Sequence, residues 1–501
     1  MKLKEVFGNI DTYVMCSTLN QIVNYIPIKL IEENNKAKLE TIKIINLTVK
    51  NKSEKNSIFK RFDNEKWDEN LKACLQDINI KDVNIERNEL DISNKLGFLI
   101  QNENHEEEGE DELNNNIYKE EKTILWNITG GQRTTIIAIQ KYIRENKRYK
   151  DYIMYLEGNS NKIIIGNFKK KCGFNYEKLE EPYALKYLNL QTVFKLAGFE
   201  INNYDKVHNF LKENHNENDD KEYKELEVCN KIYKYYKNLE SDFGEYFRKN
   251  LPRLNKIKNG IDMKQLIGEI EKSKFGKKFK EEFNDDQKKI LENLKRKDKN
   301  KGSKADEQSK KDNESKNKQF GYILEYMAIN SIKDCIKEDP KLSNYFIELC
   351  HSVNLKKLKN PLVQSKTSEL CEFDLVLLSK SGQVVIFECK SGTMSSDVGK
   401  ARQYTGYAAA GVYGKPILIT PLLENHRRNI CNAFKTNSDN SNLKAEKTDE
   451  ICSESQKFDE AVLEAFRAAA RANLDVWGMD EIHEKLNELY YEVLNVGEKN
   501  E

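Results

Sequence analysis

The sequence predicts an α/β protein built as two folded units joined by a charged insertion, and three observations carry that prediction. Apolar runs of strand length alternate with helical stretches through residues 1–166. Asn, Lys and Glu dominate from Asn202 to Lys318. Helix and strand patterns resume at Phe320 and continue almost to the C-terminus. At roughly 100–200 residues per domain, a chain of 501 residues accommodates such an arrangement. The expected units are 1–166, a helical connector and charged, partly disordered linker over 167–319, and 320–501.

In the first unit, Tyr13-Val14-Met15-Cys16 is a short apolar strand, followed by Ser17-Thr18 and a helical stretch to Ile26. Thr41 to Leu47 is a second strand, and Ser57 to Leu75 a helix with Phe59, Phe62 and Leu71 on its apolar stripe. Thr123 to Ile128 is largely apolar, the pattern of a strand covered on both faces of a parallel sheet. It runs into Thr129-Gly130-Gly131-Gln132-Arg133 and then a helix from Ile136 to Ile143. Strands at Tyr152–Leu156 and Lys162–Ile165 follow. Strand–helix alternation with right-handed crossovers gives a Rossmann-like domain. The acidic stretch Asn102 to Asn116 interrupts it as a surface loop.

Residues 167–201 read as one more helical unit, with Leu188 and Phe194 among its apolar positions. Val228–Leu239, Asp242–Leu251 and Met263–Ile270 read as short amphipathic helices. Lys295 to Gln319 has no aliphatic residue larger than Ala305 and reads as a disordered linker.

From Phe320 the pattern is helical, with Tyr322, Glu325, Ile329, Ile332 and Ile336 on one face. A polar connection, two strong strands and a helix come next. A strand at Pro416–Leu422, a helix at Phe458–Ala472, a strand at Leu474–Trp477 and a helix at Asp480–Leu494 complete the order.

The chemistry concentrates in the segment from Cys371 to Gly392. Two apolar strands flank Lys380-Ser381-Gly382, and glycine at the third loop position suits the left-handed residue of a three-residue hairpin. Pairing centred on Ser381 sets Asp374 across from Glu388, and Lys390 projects from the same face two residues on. Two carboxylates and an ammonium on an apolar sheet are costly unless they are paired or bind a metal. A divalent cation relieves the repulsion between the carboxylates. Hard oxygen ligands in a chain with only six histidines favour Mn²⁺ or Mg²⁺, with Asp374 and Glu388 as metal ligands. A metal beside a lysine suits phosphodiester hydrolysis, the ammonium of Lys390 positioning water or stabilising the pentacovalent state.

Composition narrows the remaining classes. With 83 Lys+Arg against 82 Asp+Glu, the net charge of +1 excludes a uniformly basic coat protein. No apolar run is long enough for a membrane span, and the N-terminus has no signal-peptide core. The ten cysteines are scattered without a CxxC pair, as expected of reduced thiols in a cytoplasmic protein rather than a zinc ribbon.

The pattern of Asp374 followed by Glu388-Cys389-Lys390, after a helix bearing Gly321, Leu324 and Glu325, resembles the PD-(D/E)xK nuclease superfamily. The resemblance implies a restriction-endonuclease-like fold and a metal-dependent endonuclease in which Asp374, Glu388, Lys390 and Glu325 are catalytic. Gln403 and Tyr407, with Lys400 and Arg402 nearby, are similar to a motif of RecB-like members and imply contact with nucleic acid. In the first unit, Asn127 to Arg133 resembles the strand-to-helix loop of CARF domains, the cyclic-oligoadenylate sensors of type III CRISPR systems. Gly130 and Gly131 would let backbone approach a ligand whose phosphates face a helix N-terminus. Gln132 and Arg133 depart from the usual loop residues. Ser17, Thr18, Asn20, Gln21 and Asn24 resemble that family's other ligand-contacting segment, with Thr129, Gly130, Gly131, Gln132 and Arg133 completing the expected site.

The combination resembles the CRISPR ancillary nucleases that join a CARF domain to a PD-(D/E)xK domain. It implies a homodimer that binds one cyclic oligoadenylate and cleaves DNA or RNA in antiviral defence. Cyclic tetra-adenylate is the expected activator, with the tri- and hexa-adenylate rings as alternatives. A ligand-gated nucleic-acid-binding regulator without catalysis is the other reading. The 202–319 segment is longer than the connection usual in that family, and the resemblance gives it no role.

Overall fold

The computed structural model describes residues 3–49, 65–85, 122–157, 162–169, 173–179, 188–203, 206–210, 227–235, 263–295, 320–357, 369–380, 382–390, 414–420, 469, 472, 474–479 and 481–494. Strands are β1 Thr12–Cys16, β2 Lys43–Val49, β3 Ile80–Ile85, β4 Ile124–Asn127, β5 Tyr152–Glu157, β6 Lys162–Lys169 and β7 Gly173–Leu179 in a first sheet. Its order is β3-β2-β1-β4-β5-β6-β7. The first five in that row are parallel, and β6 and β7 add an antiparallel edge. Strand order reverses between β1 and β4, and in an open α/β sheet the crevice beyond the strand ends at such a point receives ligands.

The second sheet comprises β8 Phe199–Asn203, β9 Lys206–Asn209, β10 Phe346–Lys357, β11 Glu369–Ser379, β12 Val384–Cys389, β13 Lys415–Thr420 and β14 Asp475–Gly478. The order is β14-β13-β12-β11-β10-β8, with β9 also on β10. Strands β12, β13 and β14 are parallel neighbours, and the other pairs are antiparallel. The protein is therefore α/β in both parts, as the sequence predicts.

Among the described residues, three large apolar cores tie these sheets to the helices, and a small fourth one gathers Leu418, Ala469, Ala472 and Leu474. One face of the first sheet packs Val14, Cys16 and Trp126 against Ala138, Ile139 and Ile143 of helix Arg133–Glu145. Its other face, through Tyr13, Met15 and Leu125, shares a core with helices Leu3–Asn9, Ile22–Asn34, Glu65–Cys74 and Leu190–Leu196. That same core takes in Val353, Phe373, Val376 and Ile386 of the second sheet. Phe194 stacks on Phe373 with ring centroids 6.5 Å apart. The far face of the second sheet packs Leu375, Phe387 and Ile417 on helix Phe320–Glu338, helix Ile482–Leu494 and the helices of 263–295. One helical layer thus lies between the two sheets and touches both.

Several sequence expectations change. The polar connection after the first helix of the third unit is largely β10, a twelve-residue strand in the middle of its sheet. The segment 167–201 holds β7 and the start of β8 as well as a helix. Strand β7 extends the first sheet, whereas β8 and β9 belong to the second, so the connector contributes strands to both. Within the insertion, residues 227–235 and 263–295 carry helices that pack into the core around Leu324 and Ile332. The expected helices Asp242–Leu251 and Phe458–Ala472, the acidic loop and the linker beyond Lys295 lie outside the described residues, apart from Ala469 and Ala472. Among the described residues no helix is long and apolar enough to cross a membrane.

Candidate active site and ligand crevice

The β11–β12 hairpin has the register that its turn predicts. Leu375 pairs with Phe387, Val376 with Ile386 and Leu378 with Val384, so Asp374 falls level with Glu388. Gly382 carries the left-handed conformation, φ +80°, and its N–H donates to the Ser379 carbonyl at 3.0 Å.

At the end of this hairpin three predicted side chains converge. Lys390 Nζ lies 2.5 Å from Glu388 Oε1 and 3.8 Å from Asp374 Oδ2. Asp374 Oδ2 also accepts the backbone N–H of Cys389 at 2.7 Å, which fixes the carboxylate across the strand pair. Glu388 is 2% exposed. Parallel β13 closes the other side, where the Lys390 N–H donates to the Ile419 carbonyl at 2.9 Å. Burial pushes the Cys389 thiol well above its ordinary pKa. The Asp374 and Glu325 carboxylates add to the rise, Lys390 opposes it, and Glu388 adds a further increment. The thiol between the two charged residues is therefore protonated at neutral pH and is not a nucleophile.

Glu325 lies in the helix Phe320–Glu338, and its partner is a residue that the sequence pattern did not single out. His351 of β10, 3% exposed at its side chain, places Nε2 3.1 Å from Glu325 Oε2. Its ring meets Tyr326 edge-on, with centroids 5.5 Å apart. His351 pairs with Leu375, and Val353 with Phe373, so Ser352 stands opposite Asp374. Ser352 has φ +49°, a left-handed residue inside a strand. Leu375 packs in the core on the helix side of the sheet and Phe373 in the core toward the first sheet, so the facing of alternate residues breaks at Asp374. A buried histidine in a segment that reads as a polar connection gives no sequence signal of its role.

The donor set fits a hard divalent cation of the Mg²⁺ or Mn²⁺ type, which commonly takes one or two carboxylates and completes its shell with water and phosphate oxygen. Asp374 and Glu388 are the two carboxylates here that could fill that role. Among the described residues no cluster of three or more His, Cys, Asp or Glu side chains is arranged to hold a metal, so Glu325 does not form a three-ligand set with them. Lys400, Arg402, Gln403 and Tyr407 lie outside the described residues.

The second predicted site lies at the β1/β4 switch point of the first sheet. The loops after the two strands touch. A Cβ on Gly130 would meet Thr18 Cγ2 at 2.9 Å, and one on Gly131, at φ +92°, would meet Cys16 Cβ at 2.4 Å. Both glycines are thus required by loop-on-loop packing. Four of the predicted ligand residues are engaged inside the protein. The Ser17 hydroxyl donates to Asp68 at 2.7 Å, and Gln21 Nε2 donates to Asp68 Oδ1 at 2.8 Å. Asn24 Nδ2 donates to the Cys16 carbonyl at 2.9 Å, and Asn127 Nδ2 bonds Tyr13 and Asn24. The Thr129 hydroxyl donates to Asn127 Oδ1 at 2.7 Å and accepts the Leu156 N–H at 2.8 Å. Thr18, Asn20, Thr129, Gly131, Gln132 and Arg133 are the predicted residues that reach solvent, Gly131 and Arg133 being the most open.

Asp68, from helix Glu65–Cys74, is the residue this network needs and the sequence pattern did not single out. Burial raises its pKa, and hydrogen bonds from Ser17, Gln21 and Asn46 pull the other way.

No protein-family model matches the chain, and no curated protein matches it. Its likeness is to solved structures. The structure of Can2 from Sulfobacillus thermosulfidooxidans in complex with cyclic tetra-adenylate aligns at a TM-score of 0.50 and 12% identity, covering 98% of this chain and 99% of that one. The two share a fold. Protein VC1899 from Vibrio cholerae aligns at 0.46 and 12% identity over 96% of this chain and 97% of that one. A type III CRISPR defence DNA nuclease activated by cyclic oligoadenylate aligns at 0.37 and 9% identity, over 82% of this chain and 45% of that one.

Proposed function

We propose that this chain is a metal-dependent endonuclease for DNA or RNA whose activity is gated by a cyclic oligoadenylate, as an ancillary effector of type III CRISPR defence. The observation that carries the reading is the convergence of Asp374, Glu388 and Lys390 at the end of two paired apolar strands. Such a cluster is expensive to bury and is retained where its charges do chemistry.

Asp374 and Glu388 would hold Mn²⁺ or Mg²⁺. A cation bound there supplies Lewis acidity, lowers the pKa of a water and offsets phosphoryl charge. Asp374 accepts the Cys389 N–H, which sets the orientation of its carboxylate. Lys390 is partly in solvent and bridges both carboxylates. Once they are engaged elsewhere, its ammonium is free to orient the water and to stabilise charge building on the phosphorus oxygens. Glu325, held by His351, is a fourth candidate group for the site.

The β1/β4 crevice would bind the activator, cyclic tetra-adenylate first among the candidates, since the shared fold includes a protein described in complex with that ligand. Arg133 and the N-terminal turn of helix Arg133–Glu145 offer a cation and backbone donors to a phosphate. Thr18, Asn20 and Gln132 offer polar groups for adenine and ribose. Ser17, Gln21, Asn24 and Thr129 act as the frame that sets these loops. A ring with two-fold symmetry presents equivalent halves to two subunits, which is why the active form would be a homodimer. Ligand binding favours one dimer state over another by its differential affinity.

Glu388→Gln tests the assignment. The variant should lose ligand- and metal-dependent cleavage while binding cyclic tetra-adenylate like the parent. Persisting cleavage would remove Glu388 from the chemistry.

A further inference from the structure

Between the two sheets, one short helix of the connector touches the supports of both predicted sites. Helix Leu190–Leu196 buries Leu190, Val193, Phe194 and Leu196, and the Asn189 side chain caps it by accepting the Thr192 N–H at 2.8 Å. Toward the first sheet it packs on helix Glu65–Cys74. Lys195 Nζ donates to the Ala73 carbonyl at 3.1 Å, and a Cβ on Gly198, at φ +90°, would come 3.2 Å from Asn70 Nδ2. That partner helix also holds Asp68, which accepts the Ser17 hydroxyl and the Gln21 amide of the β1 loop. The residues that frame the ligand crevice thus reach helix Leu190–Leu196 through one intervening helix.

Toward the second sheet the same helix meets β10 and β11. The Leu190 N–H, at its first turn, donates to the buried Glu348 carboxylate of β10 at 2.5 Å. The Phe194 ring stacks on Phe373, both fully buried, with ring planes 20° apart. Phe373 precedes Asp374, at the point where the facing of alternate residues breaks. Leu375 packs on the side of helix Phe320–Glu338, and regular alternation would send Phe373 there too. Instead Phe373 lies with Val376 and Ile386 on the Phe194 side. Glu388 and Lys390 project from this same face, since they alternate in step with Ile386. Opposite Asp374, Ser352 holds φ +49°. A left-handed residue other than glycine persists only where its surroundings hold it, and the Phe194–Phe373 stack is the packing at that point.

We infer that Phe194 is a positioning residue for Asp374, and that helix Leu190–Leu196 transmits the state of the activator loop to this carboxylate. A displacement of Ser17 and Gln21 moves Asp68 and its helix, and the close contacts at Asn70 and Ala73 pass it on. Phe194 then seats or releases Phe373, and with it the Asp374 carboxylate that accepts the Cys389 N–H. The inference rests on the nuclease reading above for its chemistry. Its thermodynamic content is that activator and cation favour the same arrangement, so each tightens the binding of the other.

The test compares the full chain with Phe194→Met, which keeps apolar volume but removes the ring, and with Phe7→Leu. Phe7 is equally buried in the same core, on helix Leu3–Asn9, and measures what a general loss of packing does. Calorimetry reads Mn²⁺ binding with and without cyclic tetra-adenylate, and an unfolding temperature is recorded for each chain. The activator should tighten Mn²⁺ binding in the parent and in Phe7→Leu. Phe194→Met should bind the activator like the parent. In its presence it should bind Mn²⁺ about tenfold more weakly, the low end for losing support outside a ligand shell. Its kcat with activator should fall about 10- to 100-fold, the scale of a small misplacement of a reacting group, with KM unchanged. The ratio of cleavage with activator to cleavage without it should fall as well. Parental Mn²⁺ affinity and kcat in Phe194→Met would overturn this inference alone. So would equal losses in Phe7→Leu, or equal falls in rate with and without activator. A parent that cleaves nothing would overturn it together with the nuclease reading.

Discussion

Gly382, in the turn that joins β11 to β12, lies against Ile22, the first residue of the helix that follows the β1 loop. A Cβ on Gly382 would come within 2.8 Å of Ile22 Cγ2. The contact joins the loop carrying Thr18 and Asn20 to the strand carrying Glu388. A shift of the loop on ligand binding would therefore press on the hairpin directly. Ile22→Ala should lower the ratio of cleavage with activator to cleavage without it, leaving the unstimulated rate alone. Gly382→Ala should act in the same direction and lose about 1–2 kcal/mol of stability, because its backbone is left-handed. Paired rate assays and denaturant titrations measure both. An unchanged activation ratio in Ile22→Ala would show that the contact transmits nothing.

Lys390 sits against both carboxylates, so its removal separates structure from chemistry. Lys390→Met should reduce kcat by about 100-fold or more, the scale of removing one electrostatic or proton-handling group. Binding of Mn²⁺, followed by calorimetry, should be retained or tightened, because the competing ammonium is gone. Loss of metal binding in this variant would contradict the placement of the ion on Asp374 and Glu388.

At the other site, Arg133 is exposed whereas Ser17 is buried on Asp68. Arg133→Ala should weaken cyclic tetra-adenylate binding about tenfold or more, the scale of one charge-assisted hydrogen bond, with little change in stability. Ser17→Ala should instead cost stability, about 1–3 kcal/mol, because Asp68 loses a buried donor. Titration calorimetry and thermal unfolding on the two variants distinguish the roles. A stability loss confined to Arg133→Ala would reverse the assignment.

Asp68 makes a pH prediction. Its folded pKa is raised above the unfolded value, with burial as the main cause. A carboxyl raised in this way favours folding most below its unfolded pKa, near 3.9, and loses that contribution as pH climbs through the raised folded value. Asp68→Asn removes the titration. The stability of the variant relative to the parent should therefore rise across that window and level off above it. Urea unfolding at a series of pH values reads the difference, and a gap that does not vary with pH would contradict it.

The parts of the molecule that were legible in the sequence are those specified locally. The β11–β12 register followed from one glycine in a three-residue turn between two apolar runs, and the structure pairs Val376 with Ile386 accordingly. The β1 and β4 strands announced themselves because both faces are covered, which removes polar residues from them. Strand β10 was hidden for the opposite reason. Its polar residues are satisfied by groups distant in the chain: Glu348 accepts the Leu190 N–H, and His351 meets Glu325. Its alternation also breaks at Ser352, where the backbone turns left-handed. Burial of Ser17, Gln21 and Asn24 was equally hidden, since the Asp68 that binds Ser17 and Gln21 arrives from a helix about fifty residues on.

The most direct test of the account is cleavage of supercoiled plasmid and labelled single-stranded DNA and RNA. Each is incubated in Mn²⁺ or Mg²⁺ with and without cyclic tetra-adenylate, by the parent and by Glu388→Gln. Cleavage that requires metal, activator and Glu388 together is the predicted result. Cleavage by Glu388→Gln, or no cleavage of any substrate with the tetra-, tri- or hexa-adenylate ring, would contradict it.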